Sequence, residues 1–179
     1  MLVASTPLGR RVAAPAPTFA QAAEAHLDDV HAYLVYLTGD RSAAEDLTAA
    51  TFERALRIWR RFDPRRGTAK TWLCQIARST ALDHFRSEER RRRREDAFAA
   101  REPKASDADP LAEGLSPALE AALRALSPAD REVIALRVLL ELDGPTAAGV
   151  LGISPTACST RLSRALERLE ERMKDAVAV

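Results

Sequence analysis

Apolar side chains recur at helical spacing through residues 71–95, TWLCQIARSTALDHFRSEERRRRRE, and five consecutive arginines stand near the end of this stretch. Such a pattern predicts a long amphipathic helix with one face packed against other elements. Its inward positions are predicted to be Trp72, Leu73, Ile76, Ala77, Leu82 and Phe85. The chain must therefore bury one face of this helix and leave a dense positive charge near its end.

Two further helices are predicted before this one, over residues 21–38 and 43–60. Gly39 ends the first, and Ser42 with Glu45 has the spacing of a capping box that starts the second. The predicted buried positions of the second helix are Ala44, Leu47, Ala50, Thr51, Ala55 and Ile58. Because proline and glycine cannot continue a helix, residues 62–67 are predicted to be a turn. Only 5% of residues are aromatic, which favours an aliphatic, all-α fold.

A second helical unit follows, with one stripe formed by Leu115, Leu119, Ala122, Leu123 and Leu126. Ser127 and Pro128 form a typical helix start. A helix-turn-helix pattern follows. It consists of a short helix over residues 143–151, a glycine turn and a helix capped by Ser154. The last helix is predicted to point Leu162, Ala165, Leu166 and Leu169 inward and Ser159, Arg161, Arg164, Arg168 and Arg172 outward.

Basic and acidic side chains are concentrated in different stretches of the chain, although its formal net charge is only +1. Residues 65–94 contain ten basic and three acidic side chains, and residues 95–120 contain seven acidic and two basic ones. The second stretch also holds prolines and small polar residues, which predicts a flexible acidic linker. Its acidity suits either simple solvation or mimicry of DNA. We predict an N-terminal disordered tail over 1–20, helical domains over 21–95 and 116–179, and a linker over 96–115.

The basic stretch has two interpretations. Cations near the end of a helix favour its dipole, so a solvated helix end is the simpler one. A basic stripe that begins upstream, at Arg65, instead suits the phosphates of a nucleic acid. The nearby aromatic residues could likewise stack on unpaired bases, although core packing is the commoner role of Trp59, Phe62, Trp72 and Phe85.

Other functional classes find little support in the sequence. His26 and His31 fall on different faces of their helix, so we expect no metal site and no cofactor. No phosphate-binding glycine loop, nucleophile elbow or carboxylate pair appears, so we predict no catalytic site. Cys74 and Cys158 form no CxxC pair; free thiols are the simpler expectation, and a disulfide is the alternative. We expect a soluble, cytoplasmic protein without a membrane span or secretory signal.

Four stretches carry a resemblance to a known family: AEDLTAATFERAL (44–56), RFDPRRGTAKTWLCQIARSTALDHFR (61–86), LRALSPADREVIALR (123–137) and LGISPTACSTRLSRALERL (151–169). In this order, with an acidic linker between the second and third, they resemble the bacterial RNA polymerase sigma factors of the extracytoplasmic-function (ECF) group. That group keeps only regions 2 and 4 and has no catalytic activity of its own. The resemblance implies that core RNA polymerase and promoter DNA are the partners, with an anti-sigma factor as the regulator.

The resemblance also implies roles for particular residues. Those expected to dock on core polymerase are Glu45, Asp46, Leu47, Phe52 and Arg54. Those expected to meet the −10 element, including a flipped base at the turn 62–69, are Phe62, Arg65, Arg66, Lys70, Arg78, His84 and Arg86. Those expected to read the −35 element from the helix-turn-helix 143–168 are Ser154, Thr156, Ser159, Thr160, Arg161, Arg164 and Arg168.

The chain departs from the family pattern at some of these places. Ala49 and Ala50 stand where a polar and an acidic residue are usual, which predicts a weaker polymerase contact. Ser159 replaces a usual basic residue, and Cys158 is predicted to be a small buried hydrophobe. Two rival interpretations are a dimeric helix-turn-helix regulator that acts without polymerase, and a helical enzyme or metal protein.

Overall fold

The computed structural model describes residues 16–96 and 115–177, and these form seven α-helices with no β-strand among them. The helices are α1 (Phe19–Thr38), α2 (Arg41–Ile58), α3 (Ala69–Asp96), α4 (Pro117–Arg124), α5 (Pro128–Ile134), α6 (Gly144–Leu151) and α7 (Pro155–Val177). A 3₁₀ turn, Trp59–Arg61, follows α2, and a π-helical turn, Ala135–Leu139, continues α5. The predicted all-α class is confirmed.

The first helix begins earlier than the sequence analysis placed it. Thr18 accepts a hydrogen bond from the backbone N–H of Gln21, and the Gln21 side chain accepts one from the Thr18 N–H at 2.9 Å. This reciprocal capping box fixes the start of α1 at Phe19. Phe19 and Ala20 are therefore helical rather than part of the predicted tail, and residues 1–15 lie outside the described residues.

The start of α2 also differs from its prediction. Gly39 adopts the left-handed conformation (φ 71°) that ends α1, as expected. The Asp40 carboxylate then accepts a hydrogen bond from the Ala43 N–H at 3.0 Å, so Asp40 caps α2 and Ser42 lies inside the helix. A carboxylate beside the helix N-terminus also interacts favourably with its dipole. The predicted Ser42–Glu45 capping box is therefore wrong.

The caps of the C-terminal helices are as predicted. Ser127 caps α5, and Asp143 caps α6 by accepting from the Thr146 N–H at 2.7 Å. Gly152 ends α6 in the left-handed region at φ 68°, where a residue with a Cβ would be strained. Ser154 then accepts from the Ala157 N–H at 3.2 Å at the start of α7. The helix-turn-helix predicted from these signals is present.

Two helical units each have their own buried side chains. In the first unit, formed by α1–α3, Leu34 and Leu73 are fully buried; in the second unit, formed by α4–α7, Val133 and Leu136 are. Each such side chain contributes about 1.5–3 kcal/mol by leaving water. Leu166 is 42% exposed, against its prediction, because it lies roughly 100° around α7 from the buried Ala165. The predicted inward positions Ala50, Ile58, Trp72, Leu82, Phe85, Leu162 and Leu169 are partly buried.

Both cysteines are free thiols inside the helical units. Cys158 is fully buried, as expected of a small hydrophobe. Burial raises the pKa of the Cys74 thiol to about 12, so almost none of it is thiolate near neutral pH. Neither thiol is thus placed to react readily in the folded protein. Among the described helices, none is long and apolar enough to cross a membrane.

The two helical units also pack against each other. Helix α1 contacts α5 and the π-helical turn, and α3 contacts α6. The buried apolar residues of both units join in one continuous cluster. The sequence predicted two bodies joined by a linker, most of which lies outside the described residues. It did not predict this contact between the bodies.

Candidate nucleic-acid interface

The turn between α2 and α3 encloses a cavity of about 220 Å³. Its walls combine two aromatic rings with carboxylate, hydroxyl, amide and guanidinium groups. The lining residues are Arg61, Phe62, Asp63, Arg66, Gly67, Thr68, Thr71, Trp72 and Gln75. An apolar wall beside hydrogen-bonding groups suits a planar polar ring such as a nucleobase. Phe62 and Arg66, which the sequence analysis assigned to a flipped base, thus lie at this cavity.

Local hydrogen bonds hold the turn in shape. The Asp63 carboxylate accepts from the Arg65 N–H at 2.9 Å, and the Asp63 carbonyl accepts from the Arg66 N–H at 3.0 Å. Thr68 accepts from the Thr71 N–H at 3.1 Å at the start of α3. These bonds are the usual use of Asp and Thr in turns and at helix starts. The cavity wall is therefore set by the chain's local sequence.

A cluster of aromatic side chains supports Phe62 from behind. The Trp59 and Phe62 rings stack at 4.8 Å between centroids, and Trp72 lies 5.7 Å from Phe62. Phe19 of α1 meets Trp59 edge to face at 5.6 Å. Phe62 and Trp72 are partly buried, so they serve the core and line the cavity at once. Core packing was the commoner expectation for Trp59, but its contact with Phe19 was not predicted, since no local pattern shows that the two residues meet.

The cations predicted to meet the −10 element fall into two groups. Arg65, Arg66 and Arg86 are exposed, and Arg86 lies 3.3 Å from Asp83. Lys70, by contrast, pairs with Asp29 of α1 at 3.1 Å, and Arg78 pairs with Glu132 of α5 at 2.8 Å. His84 is partly buried and meets Phe85 edge to face at 5.9 Å. The predicted continuous basic face is thus interrupted by intramolecular pairs.

The arginine run is less repulsive than its sequence suggests. Helix α3 continues through it, and Arg92 and Arg93 both pair with Glu89, at 2.7 and 2.8 Å. Arg91 pairs with Glu88 at 3.0 Å. Hydrogen bonds and charge interactions with Arg93 and Arg92 lower the pKa of the Glu89 carboxyl. The dense positive charge expected near the end of α3 is therefore partly neutralised by Glu88 and Glu89, although exposed pairs of this kind stabilise little.

The residues predicted to dock on polymerase do not all share one face. Glu45 and Asp46 are exposed near the start of α2, and Glu45 lies 3.7 Å from Arg41. Phe52 is partly buried, and Arg54 donates to Ser79 at 3.1 Å. Leu47 is only 5% exposed because it lies on the inner face of α2. Leu47 thus packs in the core of the first unit, and its contact with polymerase stays a prediction.

The two histidines have separate partners. His26 Nδ1 lies 3.4 Å from Asp29 Oδ2, and His31 Nδ1 lies 3.3 Å from Thr48 Oγ1. No group of three or more His, Cys, Asp or Glu side chains with metal-binding geometry occurs in residues 16–96 and 115–177. Each histidine of α1 thus has a polar side-chain partner of its own.

The helix-turn-helix presents a polar groove of about 510 Å³ along the first turns of α7. It contains most of the residues predicted for the −35 element. The lining residues are Asp130, Ser154, Thr156, Ala157, Thr160, Arg161, Arg164 and Arg168. Ser159 is exposed beside them. A helix start with hydroxyl groups, followed by arginines one turn apart, provides the donors that meet base edges and phosphates in a major groove.

One arginine of this groove has a partner that the sequence analysis missed. Arg168 Nη1 donates to the Asp130 carboxylate of α5 at 2.8 Å. The Asp130 side chain is 8% exposed, whereas that of Arg168 is 52% exposed. The pair ties α7 to α5 across 38 residues of sequence. Arg161 and Arg164 precede it on α7.

Family models match both helical units. The model described as Sigma-70 region 2 matches residues 22–91, and the model described as Sigma-70, region 4 matches residues 116–169. The first match contains the cavity between α2 and α3, and the second contains the helix-turn-helix.

Curated relatives match over most of the chain. The ECF RNA polymerase sigma factor BldN of Streptomyces coelicolor is 35% identical over 171 residues, which cover 93% of this chain and 64% of that protein. The chain thus spans less than two thirds of that relative. The ECF RNA polymerase sigma factor SigC of Mycobacterium tuberculosis is 35% identical over 143 residues, covering 79% of this chain and 75% of that protein. RNA polymerase sigma factor CarQ of Myxococcus xanthus is 32% identical over 151 residues, which cover 82% of this chain and 83% of that protein.

A solved structure has the same architecture. The sigma factor RpoE from Bartonella quintana, in complex with the anti-sigma factor NepR, superposes with a TM-score of 0.73 at 25% identity. The match covers 87% of this chain and 96% of that one. Sequence, family models and fold agree, and the chain belongs to the ECF RNA polymerase sigma factors.

Proposed function

We propose that this chain binds core RNA polymerase in the cytoplasm and directs it to promoters, without catalysing a reaction itself. The α1–α3 unit meets the −10 element and the α6–α7 pair meets the −35 element. The observation that carries the proposal is the cavity at residues 61–75. It stands in the unit matched by sigma region 2, and a helix-turn-helix stands in the unit matched by region 4.

At the −10 element, the cavity takes a base that has left the stack. Removing a base from a duplex costs a few kcal/mol. Stacking on an aromatic side chain returns about 1–3 kcal/mol per base. Phe62 and Trp72 supply rings, and Arg65 and Arg66 are exposed on the same turn, where we expect them to meet the adjacent phosphates. The turn thus favours the melted strand over the duplex.

At the −35 element, the first turns of α7 enter the major groove. Thr156 and Thr160 present hydroxyl groups, and Arg161 and Arg164 present guanidinium groups, along the groove of the helix-turn-helix. Asp130 holds Arg168 at 2.8 Å, so this arginine contributes less to the phosphate contact than its neighbours. The usual basic residue is missing at Ser159, and we propose that polymerase binding compensates for a weak free affinity for DNA.

Run-off transcription with core polymerase and a promoter library tests the proposal. We expect initiation from a subset of templates that share two conserved elements, and no initiation by core polymerase alone. The dimeric regulator makes the opposite prediction, since it protects a symmetric duplex site without polymerase. If the chain never supports selective initiation on any template, the proposed function is wrong.

Arg161→Ala is expected to lower transcription from −35-dependent promoters about tenfold, because a base-edge contact is worth about 1–3 kcal/mol. The measurement is run-off transcription on templates with and without the −35 element, beside a binding assay with core polymerase. Arg172→Ala is the matched control, since Arg172 is an exposed arginine further along α7 and outside the groove. Equal loss of promoter use and polymerase binding would contradict the assignment of Arg161.

We also propose that an anti-sigma factor holds this chain inactive. The solved relative from Bartonella quintana is bound by such a factor, NepR, and shares the fold over 87% of this chain. A factor that contacts both helical units keeps the chain from polymerase. Co-purification of the native chain from its source, followed by identification of the bound protein, tests this part of the proposal.

A further inference from the structure

The turn between α2 and α3 places a single acid in the wall of its cavity. Asp63 is the one acidic side chain among the described residues that line it. Asp63 Oδ1 accepts a hydrogen bond from the Arg65 N–H at 2.9 Å, and the carboxylate has no further partner in residues 16–96 and 115–177. A carboxylate offers about four lone-pair sites and donates no hydrogen bond. Most of the accepting capacity of Asp63 is therefore unused beside the cavity.

Groups that can donate hydrogen bonds surround this acceptor. Arg61 and Arg66 line the same cavity, and within the described part of the chain their guanidinium groups form no ion pair or side-chain hydrogen bond. The Thr68 and Thr71 hydroxyls share one hydrogen bond at 2.9 Å, which uses one of their two protons and leaves the other to donate elsewhere. The Gln75 amide supplies a further N–H2 group. The wall thus combines one group that can only accept with several that can donate.

The four DNA bases differ in how well they match such a wall. A flipped base is read along its pairing edge. On that edge cytosine presents its N4 amino group beside two acceptors, N3 and O2, whereas adenine has its amino group beside one acceptor, N1. Thymine and guanine present a carbonyl oxygen in place of the amino group. A carbonyl oxygen against the Asp63 carboxylate would bring two acceptors together without a proton. Cytosine is therefore the base that this wall matches best.

We propose that the cavity selects cytosine at one position of the −10 element and that Asp63 is the specificity-determining residue, whose carboxylate accepts a hydrogen bond from the cytosine N4 amino group. The inference rests on the proposed function, since it names the base that the turn takes from the melted strand. It deepens that function because stacking on an aromatic ring tolerates any base, whereas a hydrogen bond to Asp63 distinguishes among them.

The choice of base arises from the water that Asp63 gives up. Asp63 is exposed in the free chain, so water satisfies its carboxylate. A base that enters the cavity displaces this water, and an amino group replaces the lost hydrogen bond whereas a carbonyl oxygen does not. A site that is built to hydrogen-bond one group discriminates against an analogue that lacks this group. A single base-edge contact of this kind changes recognition by about tenfold.

The test measures run-off transcription by core polymerase with the wild-type chain or with Asp63→Asn. The templates carry one promoter from the library and a gap in the template strand across the −10 element. The non-template strand is then single-stranded whichever base is tested. Each −10 position is changed in turn to all four bases. Because no base pair has to open, the initiation rates report the choice of base and not the different stabilities of C·G and T·A pairs.

With the wild-type chain we expect one −10 position at which cytosine supports about tenfold more initiation than thymine. At that position 2-pyrimidinone, which keeps N3 and O2 but lacks the amino group, should lose about as much as thymine does. This comparison uses the unaltered protein, so its result does not depend on the folding of a variant.

Asp63→Asn is expected to bring the ratio of cytosine to thymine at that position to about one or below. The asparagine oxygen can keep the hydrogen bond from the Arg65 N–H, and its N–H2 group suits the thymine carbonyl better than the cytosine amino group. Asp28→Asn is the matched control, since Asp28 is an exposed acid on α1 that does not line the cavity. It makes the same change in net charge and should keep the cytosine preference. Circular dichroism melting confirms that both variants are folded.

The outcomes separate this inference from the proposed function. If no −10 position favours cytosine over both thymine and 2-pyrimidinone, the inference is overturned while the proposed function stands. If Asp63→Asn lowers initiation equally from all four bases and keeps the cytosine preference, Asp63 shapes the turn and does not read the base, which also overturns the inference. If the wild-type chain initiates on no template, duplex or gapped, the proposed function fails and the choice of base fails with it.

Discussion

Replacing Asp46 with arginine is expected to weaken the complex with core polymerase by about a hundredfold. Asp46 is exposed near the start of α2, on the face predicted to dock on polymerase. Placing a like charge against a positive partner surface costs several kcal/mol, and a hundredfold change corresponds to about 2.7 kcal/mol. Because Ala49 and Ala50 already leave this face short of polar contacts, few other groups can compensate for the reversed charge.

The measurement is fluorescence anisotropy of labelled chain titrated with core polymerase. Asp28→Arg is the matched control, because Asp28 is an exposed acid on α1 and makes the same change in net charge. Surface substitutions of this kind change the free energy of unfolding by about 0.5 kcal/mol or less, so melting should be unaffected in both variants. Unchanged polymerase binding by Asp46→Arg, or an equal loss with Asp28→Arg, would show that this face of α2 does not dock.

The helices could be predicted because their signals are local. Each stripe of apolar residues follows the helical period, and Ser127, Asp143 and Ser154 stand directly before the helices that they cap. The signals that set the starts of α1 and α2, which were predicted at the wrong residues, are also local. Thr18 and Gln21 have capping-box spacing, and Asp40 is as good a cap as Ser42. Several candidate caps in one stretch are hard to rank by sequence alone.

The contact between the units could not be predicted because it depends on distant residues. Glu132 accepts hydrogen bonds from Tyr33, 99 residues away along the chain, and from Arg78, 54 residues away. In the sequence, Glu132 looks like a solvent-facing acid within a helix, and Arg78 looks like part of a basic stripe. Only the packing of α5 on α1 brings the Glu132 and Arg78 side chains together as an ion pair with a buried carboxylate. A pattern that repeats within one helix carries no information about that packing.

The candidate site was predictable where one short segment builds it. The turn after α2 was predicted from its proline and glycine, and the expected Phe62 and Arg66 line its cavity. Prediction was poorer where a side chain's role depends on another helix. Leu47 belongs to the core, and Lys70 is held by Asp29 of α1. The helical period and the residue types do not by themselves distinguish the face of α2 that binds a partner from the face that packs in the core.

Replacing Phe62 with alanine is expected to reduce initiation on duplex promoters by about a hundredfold. The ring lines the cavity and rests on Trp59 at 4.8 Å, so its loss removes both the stacking surface and part of the wall. Stacking of a base is worth about 1–3 kcal/mol, and the upper part of that range corresponds to this factor. Run-off transcription on a duplex promoter is the measurement.

Phe62→Leu and Phe85→Ala serve as controls for folding and for general loss of an aromatic ring. Leucine fills much of the same volume against Trp59, so Phe62→Leu should melt near the wild-type temperature while it still loses most of its initiation. Phe85 lies two helical turns or more beyond the cavity on α3 and does not line it. Its replacement should therefore reduce initiation far less than that of Phe62.

A template that is already melted across the −10 element separates base capture from other roles of Phe62. On such a template the base is already unpaired and unstacked, so the Phe62 ring has a smaller unfavourable free energy to offset. The defect of Phe62→Ala should therefore shrink to about tenfold or less. An equal defect on duplex and melted templates would mean that Phe62 acts through folding or polymerase binding. The difference between the two templates measures how much of strand opening depends on this one side chain.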